Sequence, residues 1–158
     1  MGNPSNIEMS FPVSWGRLAE VRAAAEQLLQ AHSSDARDAV VMAALELAEN
    51  VIKYGEPLEN DSVGSVRVIM QDGQVTVVST SGVSCAERGA AVVAHVERIA
   101  GGDPMSIYVE RLQFLAENPH ESATQLGLCR VAFEGEFALS ASYEHPRLVI
   151  EAQRSVST

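Results

Sequence analysis

Between Ser33 and Gly55 the chain reads SSDARDAVVMAALELAENVIKYG, and no other stretch constrains the fold as strongly. Val40, Val41, Ala44, Leu45, Ala48, Val51 and Ile52 share one side of a 3.6-residue period, which predicts a long amphipathic helix. Ser33, Ser34 and Asp35 offer N-caps, and Gly55 supplies the stop. A helix of this kind has to bury its apolar stripe against another layer.

The rest of the chain supplies that layer. Residues 7–14 predict a short first strand, with Pro12 suited to a sheet edge. A helix over residues 15–32 follows. After the long helix and a loop, residues 65–82 form two β-branched runs joined at Gln71-Asp72-Gly73, the pattern of a hairpin. Two helices, 86–99 and 105–117, are separated by Gly101 and Gly102, with Asp103 as cap and Pro104 in the first turn of the second. A short helix over 126–136 leads into a closing hairpin, 137–144 and 147–154, turning at His145-Pro146. The order predicts an α/β (α+β) two-layer sandwich: a mixed, mostly antiparallel sheet covered on one face by helices, in a single domain over 1–158.

Composition narrows the functional classes. With 21 Asp+Glu against 11 Lys+Arg the net charge is -10, which opposes binding to a phosphate backbone and argues against nucleic acid. Lys53 is the sole lysine. Cys85 and Cys129 lie far apart without metal-like spacing, and no signal-like start precedes them, so a reduced, cytoplasmic protein is expected. No apolar run is long enough to span a bilayer.

The polar side of the long helix carries Glu46, Glu49, Asn50 and Lys53. Such a stripe is ordinarily the solvent face, and Glu49 with Lys53 an ordinary i,i+4 pair. The same geometry also suits chemistry. Glu and Asn one turn apart can serve one water or hydroxyl and one Mg²⁺, the carboxylate taking a proton and the amide oxygen binding the metal.

The stretch ELAENVIKYG resembles the N box of the GHKL (Bergerat-fold) ATPases, E-x-x-x-N followed by a basic residue and an aromatic-Gly pair. It is most similar to the anti-sigma-factor serine/threonine kinase branch, and the element order agrees with a histidine-kinase-like ATPase fold. The resemblance implies ATP and Mg²⁺ as cofactors, Glu46 as general base, Asn50 as metal ligand, and Lys53, Thr80, Gly82, Gln125 and Gly127 around the nucleotide. Thr80 and Ser84 replace the aspartate and second glycine of the first glycine box. Gln125 and Cys129 replace the outer glycines of the second.

The implied partner is a protein, either an anti-sigma-factor antagonist of the STAS type or a sigma factor. Homodimers are common in the resembling group. Two alternatives stand beside phosphotransfer to a Ser or Thr. One is a non-catalytic binding module that has lost ATP. The other is a histidine-phosphotransfer-like docking protein, with His95 as its only plausible phosphoacceptor. On the helix over 105–117, the stripes Met105, Tyr108, Leu112, Leu115 and Ile107, Arg111, Phe114 are expected to pack mainly into the core, with docking of a partner as the sharper reading.

Overall fold

In the computed structural model the described residues are 7–12, 14–58, 64–119 and 124–156. The elements in order are β1 (Ile7–Pro12), a 3-10 turn (Trp15–Arg17), α1 (Leu18–Leu28), α2 (Ser34–Tyr54), β2 (Gly64–Gln71), β3 (Gln74–Gly82), α3 (Ala86–Gly101), α4 (Pro104–Glu117), α5 (Thr124–Phe133), β4 (Ala138–Glu144) and β5 (Arg147–Ser155).

The five strands form one sheet in the order β1-β2-β3-β5-β4. Every pairing in it is antiparallel, so the expected parallel component is not there. The cause is topological. Each local hairpin is antiparallel by construction, and the helices between β3 and β4 return the chain so that β5, not β4, lies against β3. Pro12 ends the edge strand β1, a place in a sheet where proline is tolerated.

Local chemistry explains the boundaries. The Ser33 hydroxyl accepts the Ala36 N–H at 3.2 Å and caps α2. Asp103 accepts the Met105 N–H at 3.2 Å, with Pro104 in the first turn of α4. Asp72 and Gly73 both take positive φ in the two-residue turn between β2 and β3.

The sheet is two-sided in character. Val66, Val68, Val75, Val77, Leu148, Ile150 and Ala152 are buried against the helical layer, where α2 contributes Val40, Ala44, Leu47, Ala48 and Val51. The alternate residues Arg67, Ile69, Thr76, Thr80 and Val149 are only half-buried on the other face. Val78 is buried there between its cross-strand neighbours Arg67 and Glu151. The architecture is thus α+β, one antiparallel sheet packed against helices.

The helix α4 departs from its expected role. It buries Ile107 alone among its described residues, while Met105, Val109, Leu112 and Phe114 are exposed. Most of its apolar surface therefore lies outside the core.

Candidate functional site

The C-terminal half of α2 crosses β3 and leaves a cavity of about 310 Å³ between itself, the inner sheet face and α3. Asn50, Val51 and Tyr54 line it from α2, Ser79 and Ser81 from β3, and Leu148 and Ile150 from β5. One face of α3 closes it with Arg88, Ala91, Val92 and His95, spaced i, i+3, i+4, i+7. Arg111 of α4 and Leu128 of α5 complete the wall. The body of the cavity is aliphatic, and its ends are polar.

Ser79 and Ser81 owe their position to strand alternation. Val75 and Val77 point inward, so the residues two and four further on do the same. Thr80 must then face outward, and it lies opposite Ser65 and Val149 on the far side of the sheet. Thr80, expected beside a bound base, is not among the residues lining the cavity.

Glu46 and Asn50 are one turn apart on α2 but meet different neighbours. The Glu46 carboxylate accepts a hydrogen bond from Arg130 of α5 at 3.0 Å and lies against Gly127, where an added Cβ would collide with it. Its side chain is 20% exposed. Arg130 also pairs with Glu134 at 3.2 Å. Glu46 is not among the residues lining the cavity, whereas Asn50 is.

Burial pushes the Glu46 carboxyl above the usual carboxylate range. Arg130 and, more weakly, Lys53 oppose the shift, while Glu49 and Glu134 add to it. Since the folded carboxyl holds its proton more tightly than the unfolded one, ionising Glu46 costs stability as pH rises from the unfolded pKa through the folded one. We therefore expect Glu46→Gln to flatten this part of the stability profile. Thermal melts between pH 4 and pH 7 would show wild type gaining on the variant toward the acid side; parallel profiles would refute the assignment.

The other predicted residues are placed as follows. Lys53 is exposed at the end of α2 and does not line the cavity. Gly82 makes a β-bridge with Glu56, and an added Cβ would run into the Glu56 backbone. Gln125 falls in the first turn of α5, and its side chain lies outside the described residues. Gly82 and Gly127 thus each admit a neighbouring group of the protein itself. His95 is half-buried and faces the cavity, which is poor placement for a phosphoacceptor that a second protein must reach.

The chain after α2 is fastened at the cavity rim. The Glu56 carboxylate accepts the Ser84 N–H at 3.1 Å and pairs with Arg88 at 3.2 Å. The hydrogen bonds from Ser84, hydroxyl and backbone, and then Arg88 hold its carboxyl below the ordinary value. Sequence reasoning overlooked this clasp, and with it Ser79, Ser81 and Arg130. The two serines were recoverable from the alternation of β3; the partners of Glu46 and Glu56 are too distant in sequence to be.

The donor set around Asn50 is neutral among the described residues. Asn50 and the two serines offer neutral oxygens, but no carboxylate is found among the described residues lining the cavity, where Mg²⁺ ordinarily needs one or two beside the phosphates. No group of three or more His, Cys, Asp or Glu suited to a metal occurs among the described residues. Cys85 is exposed at the start of α3, and Cys129 is buried in α5, its thiol pushed up by that burial. Among the described residues no helix is long and apolar enough to cross a membrane. No protein-family model matches the chain, and no curated protein matches it either.

Proposed function

We propose that this chain is a cytoplasmic regulatory module of the histidine-kinase-like ATPase fold, similar in kind to the anti-sigma-factor kinases, that works by binding a protein partner without transferring phosphate from ATP. The order of elements supports the fold: a first strand, two helices with E-x-x-x-N on the second, a hairpin, a helical segment, a short helix and a closing hairpin. One observation carries the loss of catalysis. Glu46, which would have to take the proton from an attacking hydroxyl, is held by Arg130 against Gly127 and away from the cavity that Asn50 lines.

The output in this reading is contact. A STAS-type antagonist or a sigma factor is the partner class that the resemblance favours, and the exposed Met105, Val109 and Leu112 give α4 an apolar stripe of the kind partners cover. The decisive experiment combines two measurements on the full chain. Millimolar Mg-ATP and Mg-ADP are expected to leave the melting temperature unchanged, and incubation with ATP and an antagonist is expected to leave the antagonist unphosphorylated. Saturating nucleotide at a hundredfold excess over Kd would stabilise the fold by about 2.7 kcal/mol. A shift of that size, together with phosphate appearing on a serine or threonine of the antagonist, would defeat the proposal and restore Glu46 as a base.

A further inference from the structure

The inward side of β3 changes character along its length. Val75 and Val77 are fully buried under the helical layer, and the next two inward positions are Ser79 and Ser81. The valines do not line the cavity, whereas both serines do. Replacing branched side chains by serine makes room on a central strand, and it leaves a polar atom on the floor of that room. Ser79 lies opposite Ile150 and Ser81 opposite Leu148, which line the same space.

The serines are 4% and 7% exposed, and among the described residues they are the only buried polar ones. No described residue hydrogen-bonds either hydroxyl, nor the Asn50 amide that joins them from α2. A hydroxyl withdrawn from water without a partner costs free energy. Two of them on one strand, about 7 Å apart along it, therefore point to a group that is brought in from outside.

The charged groups on the same wall already have interactions of their own. Arg88 is engaged by Glu56 at 3.2 Å, and both Arg111 and His95 interact within the protein. Among the described residues no carboxylate lines the cavity. What is left to a ligand is neutral: Asn50, Ser79 and Ser81 in an aliphatic setting of Val51, Val92, Leu128, Leu148 and Ile150. An ion entering there would give up its water without gaining a counter-charge, while an uncharged polar group exchanges one set of hydrogen bonds for another.

At about 310 Å³ the space lies at the lower end of the range for ligand pockets. We propose that the cavity takes a small uncharged molecule as the effector of the module, an apolar body with one amide or hydroxyl group held by Ser79, Ser81 and Asn50. This rests on the preceding reading, in which the protein works without ATP. The body gains from leaving water along the aliphatic wall, and the head gives the serine hydroxyls the partner that the fold withholds.

The test is calorimetric titration of the full-length chain with octanamide, octanol, octanoate and octylammonium, which share an eight-carbon chain and differ in the head. At least one neutral probe is expected to bind about tenfold or more tighter than both ions, and the better of the two identifies the head group. Binding of either ion as tight as the better neutral probe overturns the proposal with wild type alone, and so does the absence of binding by both neutral probes at millimolar concentration. Ser79→Ala with Ser81→Ala is expected to weaken the better neutral probe about tenfold, the scale of two ordinary hydrogen bonds. Undiminished affinity in that variant overturns the proposal as well. Phosphate transfer from ATP, assayed separately, bears on the preceding reading only.

Discussion

Gly64→Ala is expected to destabilise the domain by about 3 kcal/mol or more, the combined scale of a strained backbone and an overpacked contact. Gly64 begins β2 with φ of +155°, a conformation that residues with a Cβ rarely take. The added methyl would also overlap the Thr80 carbonyl oxygen and approach the Val51 side chain at 2.8 Å. The first of these is backbone in the centre of the sheet, so it cannot swing aside. Relief requires β2 to part from β3 or α2 to lift from the sheet, and Val51 belongs to the wall of the cavity. Chemical denaturation should show a lower midpoint with an unchanged slope; a variant as stable as wild type would mean that β2 starts differently.

The second large effect is expected from Leu47→Ala, at about 2–5 kcal/mol, the range for truncating a buried leucine. Leu47 is fully buried on α2, in the cluster that joins α2 to the sheet valines. The neighbouring Ala43, Ala44 and Ala48 hold the helix close, so few side chains are long enough to fill the void. Urea unfolding with an intact far-ultraviolet spectrum before the transition would check it. A loss below about 1 kcal/mol would indicate that the helical layer can collapse onto the gap.

Both predictions concern α2, and α2 was the most legible part of the chain. Its apolar period, the Ser33 cap and the Gly55 stop predict bounds that agree with Ser34–Tyr54, because each signal acts within a few residues. The hairpin at Asp72-Gly73 was legible for the same reason. The antiparallel union of β3 with β5 was not, since it joins Gln74 to Ser155 across about half of the chain and no local pattern encodes it. On α4 the period was read correctly but its burial was not: a stripe in the sequence does not say whether anything covers it.

The site divides along the same line. Asn50 faces a cavity, as its position on the polar side of α2 allowed. Glu46 was expected beside it, yet which way a carboxylate leans depends on Arg130, 84 residues away. Gly82 and Gly127 match a motif in sequence, while in space they make room for Glu56 and Glu46. Thr80 shows the opposite case, where counting alternate residues along β3 from Val77 was enough to turn it outward.

The shallow seating of α4 bears on how anything could enter the cavity. This helix rests on Ile107 and the half-buried Tyr108, Arg111 and Leu115, and its Arg98–Glu110 tie to α3 is an exposed ion pair of small worth. Detaching such an element costs on the order of a few kcal/mol, less than the 5–15 kcal/mol that separates a typical domain from its unfolded ensemble. Sub-global opening at α4 would carry Arg111 outward while α2 and the sheet keep their hydrogen bonds, so one wall of the cavity lies on a helix that contributes a single buried residue to the core among its described residues.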